Sequence, residues 1–342
     1  MLAARRRAEM GWFEKIVALP QLQTFFSLDD DAFVEEKGWQ TILNKVKQLK
    51  DPEFVTKVIR EANANNEKEK IVLGYLCTMA AEGADEPVTL PCVDYAGCYL
   101  GRGEMKLKSR SHGVSPNYVG MGMNASSLET KLTVDGNVGD YLGYRASQAN
   151  IEVTGSAKEN AGMAIGYGSM KIDGDVAGAL GGNTQSTRLE VGGSVGSIGN
   201  DNVGCTILIG ADINWGIGEN QQDCFIKVCG SVGVKARKSE KHLNIATGLC
   251  RNSILLVGEN VYGNLGKGME VAKVFVWGRV HGQIEVSDIG GGFVYLNKRK
   301  NRLLDRLKSV IGGSIGIKYV KLKESGYLFA EEPDDIKDIV LK

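Results

Sequence analysis

Leu132-Thr-Val-Asp-Gly-Asn-Val138 returns as Ile151-Glu-Val-Thr-Gly-Ser-Ala157, then as Met170-Lys-Ile-Asp-Gly-Asp-Val176 and Leu189-Glu-Val-Gly-Gly-Ser-Val195. It continues as Ile207-Leu-Ile-Gly-Ala-Asp-Ile213, Ile226-Lys-Val-Cys-Gly-Ser-Val232, Leu255-Leu-Val-Gly-Glu-Asn-Val261 and Val274-Phe-Val-Trp-Gly-Arg-Val280. The marker column is Gly136, Gly155, Gly174, Gly193, Ala211, Gly230, Glu259 and Gly278, and its intervals are 19, 19, 19, 18, 19, 29 and 19. A short fixed period is the mark of a stacked repeat architecture, in which each unit buries its apolar face only against its neighbours.

Within each phrase the apolar residues fall two apart and then four apart. The columns are Leu132, Ile151, Met170, Leu189, Ile207, Ile226, Leu255 and Val274; then Val134, Val153, Ile172, Val191, Ile209, Val228, Val257 and Val276; then Val138, Ala157, Val176, Val195, Ile213, Val232, Val261 and Val280. A spacing of two with β-branched residues is a strand signal. A polar column stands between them: Asn137, Ser156, Asp175, Ser194, Asp212, Ser231, Asn260 and Arg279. A fourth apolar column, Leu142, Ala161, Leu180, Ile217 and Leu265, is followed each time by glycine at Gly143, Gly162, Gly181, Gly218 and Gly266. Glycine serves a corner either by taking a positive φ or by letting two backbones approach. The expected fold is a mainly β, parallel β-helix with one coil per repeat. Its structural repeat glycines are these corner positions together with Gly136, Gly155, Gly174, Gly193, Gly230 and Gly278.

The flanks differ in kind. Residues 1–84 read as a helical N-terminal domain, with a capping-box-like Ser27-Leu-Asp-Asp30, a second helix from Asp51-Pro52 and a third over Lys68 to Ala81. Residues 85–130 carry Pro87, Pro91 and Pro116 and read as a linker and irregular first coils, with a strand at Met105-Lys-Leu-Lys108. The β-helix occupies 131–297. Residues 298–342 supply an amphipathic helix from Lys298 to Val310, two short strands and a tail. Helical segments at both ends suit the capping that open solenoid ends require.

Composition excludes several function classes. Lys plus Arg equals Asp plus Glu, at 41 each, so no charge excess points to nucleic acid or a membrane surface. No apolar run reaches the length of a membrane-spanning helix. Arg5-Arg-Arg7 leads into Ala-Glu-Met-Gly rather than an apolar core, so a secretory signal is not expected. Seven cysteines without a C-x-x-C pair suit reduced thiols and a cytoplasmic location. Cys205 and Cys224 lie one repeat apart in a column of small residues, where a packed thiol is the expectation. The histidines, His112, His242 and His281, form no column, so no metal site is expected.

Two G-x-S-x-G matches, Gly192 to Gly196 and Gly312 to Gly316, fit repeat grammar better than a nucleophile elbow, which needs a strand-to-helix turn. No catalytic, cofactor-binding or metal-binding residue is therefore assigned. The outward positions Thr133, Glu152, Lys171, Glu190, Leu208, Lys227, Leu256 and Phe275 run from charged to apolar, which favours cover by a partner or by a helix of the same chain. Phe275, Trp277 and Trp215 are placed near that face.

Gly139-Asp-Tyr-Leu-Gly143 followed by Ile151-Glu-Val-Thr-Gly155 resembles the glycine-rich repeats of the GxGxG family. That family includes the C-terminal region of the glutamate synthase large subunit and a β-helical component of formylmethanofuran dehydrogenase. The resemblance covers about residues 130–295 and rests most on Gly143, Gly162 and Gly181. The family's second glycine is Arg145, Ala164 and Asn183 here, and its Gly-Gly before the strand is Gln148-Ala149, Tyr167-Gly168 and Ser186-Thr187. The resemblance implies a right-handed parallel β-helix that is a structural part of a larger enzyme. The functional expectation is a non-catalytic β-helix scaffold or subunit that docks catalytic partners in a cytoplasmic redox or amide-nitrogen complex, with no cofactor of its own. Its partners are other proteins or further copies of itself, with neither nucleic acid nor membrane. Two alternatives stand beside it: a stand-alone structural or self-associating β-helix protein, and a carbohydrate-active β-helix enzyme.

Overall fold

The structure is a computed structural model that describes residues 67–84, 86–109, 115–124, 130–235, 252–265 and 272–281, together with backbone segments at 244–246, 249–250, 293–296, 319–322 and 326–329. The helices expected before residue 67, the helix expected from Lys298 to Val310, Gly266, His112, His242 and the second G-x-S-x-G lie outside the described residues. The protein is mainly β, and its parallel strands wind a β-solenoid in which coil-to-coil partners recur at an interval of 19 in most turns. The chain divides into two compact units, Met1–Gly155 and Ser156–Lys342.

In the first unit, helix α1 (Glu67–Glu82) precedes strands β1 (Val88–Pro91), β2 (Glu104–Lys108), β3 (Lys131–Asp135) and β4 (Asn150–Val153). Val88 pairs with Met105, Met105 with Leu132 and Leu132 with Ile151, all in parallel register. Coiling is thus under way at Val88, and the strand expected at Met105 is β2. These first coils are uneven, because the step from Met105 to Leu132 is longer than the steps before and after it. The alternation along each strand buries Met105, Leu107, Leu132, Val134, Ile151 and Val153.

Helix α1 is buried almost all round, from Ile71 to Thr78. Glu67 and Glu69 in its first turn suit the positive end of the helix dipole. Gly74 lies directly against the backbone of Tyr95, where an added Cβ would come within 2.5 Å of the Tyr95 carbonyl carbon. Thr78 Oγ1 donates to the Cys98 carbonyl at 2.9 Å, and Glu82 Oε1 accepts from the Gly101 N–H at 2.8 Å. The helix is thereby fastened to the first coil.

In the second unit the main ladder contains β5 (Ser169–Ile172), β7 (Arg188–Val191), β9 (Thr206–Ile209), β11 (Phe225–Val228), β14 (Ile254–Val257), β16 (Lys273–Val276), β17 (Phe293–Leu296) and β19 (Gly326–Phe329), parallel in that order. β18 (Tyr319–Leu322) closes it as an antiparallel edge on β19. β6 (Val176–Leu180) pairs with β8 (Val195–Ile198) on a second side of the coil. β10 (Gln221–Gln222) pairs with β13 (Leu249–Cys250), and β12 (Asn244–Ala246) with β15 (Asn264–Leu265). Ile198 fills the place left open in the fourth apolar column, bridging Leu180 and Ile217. It does so in the coil that is one residue short.

The corners hold a regular pair of left-handed residues three apart. Arg145 and Gln148, Ala164 and Tyr167, Asn183 and Ser186, and Asn220 and Asp223 all have φ between 47° and 58°. Asp201 and Gly204 make the same pair, at 59° and 65°. Such a φ costs a non-glycine residue about 1–3 kcal/mol and persists only where surrounding contacts over-determine it. Here the coil-to-coil amide bonds do so, for example Tyr167 N–H to the Gln185 carbonyl at 2.9 Å and Ser186 N–H to the Val203 carbonyl at 2.8 Å.

Candidate functional site

Most of the polar column is bonded from one coil to the next. Asp175 Oδ1 accepts from the Ser194 N–H at 2.7 Å, and Asp212 Oδ1 from the Ser231 N–H at 2.7 Å. Asn260 Oδ1 accepts from the Arg279 N–H at 2.9 Å. The serines between them do the same work with a shorter arm: Ser156 Oγ, Ser194 Oγ and Ser231 Oγ accept from the amides of Asp175, Asp212 and Asn260 at 3.0, 3.3 and 3.2 Å. Long and short acceptors alternate.

This explains the glycine column. A Cβ at Gly193 or Gly230 would collide with Oδ1 of Asp175 or Asp212, and one at Gly155 would lie 2.5 Å from the Gly136 carbonyl oxygen. Close approach is therefore the reason for glycine at Gly155, Gly193, Gly218, Gly230 and Gly278. A left-handed φ is the reason at Gly136, Gly143, Gly162 and Gly181. Gly174 supplies a carbonyl to the Gly193 N–H at 3.0 Å.

The first unit carries a different corner. Asp94-Tyr95, Asn117-Tyr118 and Asp140-Tyr141 are each followed, after one residue, by glycine. The tyrosine rings stack, with Tyr95 on Tyr118 at 4.9 Å and Tyr118 on Tyr141 at 5.1 Å, and interplanar angles of 5° and 1°. Asp94 Oδ1 accepts from the Asn117 N–H, and Asn117 Oδ1 from the Asp140 N–H, both at 2.8 Å. All three tyrosines are left-handed, with φ from 56° to 63°.

The stack begins at helix α1. The Tyr95 hydroxyl donates to Glu67 Oε1, and Lys70 Nζ lies 3.0 Å from Asp94 Oδ2. At Tyr144, edge-on to Tyr141, the Arg145 guanidinium sits over the ring. Desolvation raises the Tyr95 and Tyr118 hydroxyls above the ordinary tyrosine value. The same Asx-Tyr-x-Gly phrase was available in the sequence, but its interval of 23 hides it from a search at 19.

A buried polar column crosses the second unit. Asn202 Oδ1 accepts from the Gly182 and Thr184 amides and from Thr184 Oγ1 at 2.5 Å. Its Nδ2 donates to the Gly199 carbonyl and to Gln221 Oε1 at 3.0 Å. Gln221 Nε2 in turn donates to the Gly199 carbonyl at 2.8 Å. Cys205 and Cys224, expected as packed thiols, sit beside this column as free, buried thiols, with Thr184 Oγ1 3.2 Å from Cys205 Sγ. A satisfied buried network of this kind fixes register between coils.

The outward face of the main ladder changes character along the second unit. Lys171 and Lys227 are exposed, while Leu208, Phe225, Ile254 and Trp277 are half-buried. Leu256 and Phe275 are only 3% and 1% exposed and form a cluster against which Phe225, Ile254 and Trp277 pack. Trp215, placed near this face on sequence grounds, is 47% exposed. Ser194 of the first G-x-S-x-G is followed by β8 and not by a helix, with Val195 buried, so it is a coil residue and no nucleophile elbow. His281 stacks on Tyr262 at 4.7 Å.

Among the described residues no group of three or more His, Cys, Asp or Glu is placed to hold a metal ion. No described helix is long and apolar enough to cross a membrane. No protein-family model, curated protein or solved structure matches the chain.

Proposed function

We propose that the chain is a non-catalytic β-solenoid scaffold that docks catalytic partners, as a right-handed parallel β-helix subunit of a cytoplasmic redox or amide-nitrogen enzyme complex, with residues 1–84 acting as its N-terminal cap. The observation that carries the reading is the outward sheet face of the second unit, where Leu208, Phe225 and Ile254 replace the charged residues found on earlier strands and remain half-buried. Half-exposed aliphatic and aromatic side chains on a flat, hydrogen-bonded sheet give a rigid contact surface that loses little entropy on binding. The coil-to-coil bonding of the polar column supports the same reading, because those side chains are spent on holding coils together. The kind of complex comes from the GxGxG resemblance alone.

Affinity purification of the tagged full chain from its native cells, with mass spectrometry of co-purifying proteins, tests it. A flavin, molybdenum, tungsten or iron–sulfur enzyme recovered in stoichiometric amount, and lost in the double variant Leu208→Lys, Phe225→Lys, is the expected result. Recovery of the chain alone at one defined mass overturns the docking role.

A further inference from the structure

Cys205 and Cys224 occupy equivalent positions on adjacent coils, immediately before β9 and β11. The Phe225 N–H donates to the Cys205 carbonyl at 2.8 Å, and the following residues pair in parallel register, Thr206 with Phe225 and Ile207 with Ile226. Neighbouring strands in such a ladder lie about 4.8 Å apart. That spacing falls within the roughly 4.4–6.8 Å between Cα atoms that a disulfide accepts. The two side chains share a hydrogen bond, and they are 1% and 2% exposed. Gly204, next to Cys205, is exposed, so the corner in front of the pair faces solvent.

We infer that Cys205 and Cys224 are a dithiol that closes to an intramolecular disulfide on meeting a two-electron oxidant of the peroxide class. Cys205 is the attacking sulfur. Hydrogen bonds from Cys224 first and then Thr184 hold its thiol down to about 6, against the opposing effect of burial, whereas the bond to Cys205 and burial push Cys224 up. The Cys205 thiolate attacks one peroxide oxygen; a sulfur–oxygen bond forms, the oxygen–oxygen bond breaks, and hydroxide leaves and is protonated to water. Cys224 then attacks the sulfenic sulfur, giving up its thiol proton; the sulfur–sulfur bond forms and the departing hydroxide takes a proton as a second water. Two thiols and one peroxide thus give one disulfide and two waters. Cys229 is exposed and lies one position past β11, where the adjacent coils offer Gly210 and Gly258 instead of a second thiol.

The test is stepwise hydrogen peroxide treatment of the folded full-length chain, alkylation of remaining thiols, and non-reducing peptide mapping. The expected product is one linked pair, Cys205 to Cys224, reversed by dithiothreitol and accompanied by a rise of a few degrees in the unfolding midpoint. Cys229→Ser retains the link, and Cys224→Ser leaves a sulfenic acid on Cys205 that dimedone traps. Sulfenic acid without linkage in the native chain, linkage to another cysteine, or a pair that stays reduced until the chain unfolds overturns the inference; because the native chain itself is mapped, the result does not depend on either variant folding.

Discussion

Gly74 and Asp175 show how much of this structure is decided by single atoms. In an isolated helix, alanine in place of Gly74 would gain about 1 kcal/mol of propensity. In the folded chain its Cβ would be 2.5 Å from the Tyr95 carbonyl carbon, which the stacked corner holds in place. Gly74→Ala should therefore destabilise by roughly 1–3 kcal/mol in chemical denaturation, opposite in sign to the helix scale. Asp175 works as an acceptor, so Asp175→Asn should be near neutral, as Asn260 already does the same job. Asp175→Ala should cost about 0.5–1.5 kcal/mol by leaving the Ser194 amide unmet. At this scale the glycine column could be read from periodicity. Gly74 could not, because its reason lies at Tyr95, on a corner of different spacing. The non-glycine left-handed positions, from Arg145 to Asp223, were equally invisible, since nothing in an arginine or tyrosine announces a positive φ.

Among elements, the tyrosine stack of the first unit replaces burial with ring-on-ring contact. Tyr118 has a ring on each side, so Tyr118→Ala should lower stability by about 2–3 kcal/mol, while Tyr118→Phe should stay within about 0.5 kcal/mol by thermal and chemical denaturation. The same unit gathers protons that the fold holds tightly. Burial raises the Tyr75, Tyr95 and Tyr118 hydroxyls and the Cys98 thiol, and pushes the Cys92 thiol up to about 12.

Above pH of about 8.5 for thiols and about 10 for tyrosines, the unfolded chain releases protons that the folded chain keeps. The unfolded state then binds fewer protons, and stability falls as pH rises. The denaturation midpoint should be level to about pH 8 and drop steeply toward about pH 11, with tyrosinate absorbance of these residues appearing only as the unit unfolds. Tyrosinate forming fully in the folded state would refute this. Periodicity carries little warning of these elements: the steps from Val88 to Met105 and from Met105 to Leu132 are out of phase with the later repeat, and 85–130 then looks like a linker.

For the molecule as a whole, the repeat makes length a discrete variable. Deleting residues 207–225 removes one coil and joins Thr206 to Ile226, so that Ile226 takes the place of Ile207, its partner in the ladder. That variant should remain folded, with an unchanged β signal per residue and a smaller denaturant slope. Deleting residues 207–216 removes half a coil, throws the apolar columns out of phase and should leave an aggregating chain. The repeat interval, the three strand columns and the outward drift to apolar residues were all readable in the sequence, because stacking forces like above like. What the outward face binds was not, since a contact surface has no period of its own.

The alternating carboxylate, amide and hydroxyl acceptors have one further property: each belongs to the earlier coil, and its N–H donor to the later one. A ribosome releases the chain from its amino end. Every finished turn therefore already displays the oxygen that will catch the next turn as it emerges, and assembly can proceed as vectorial growth on a template, one turn behind synthesis.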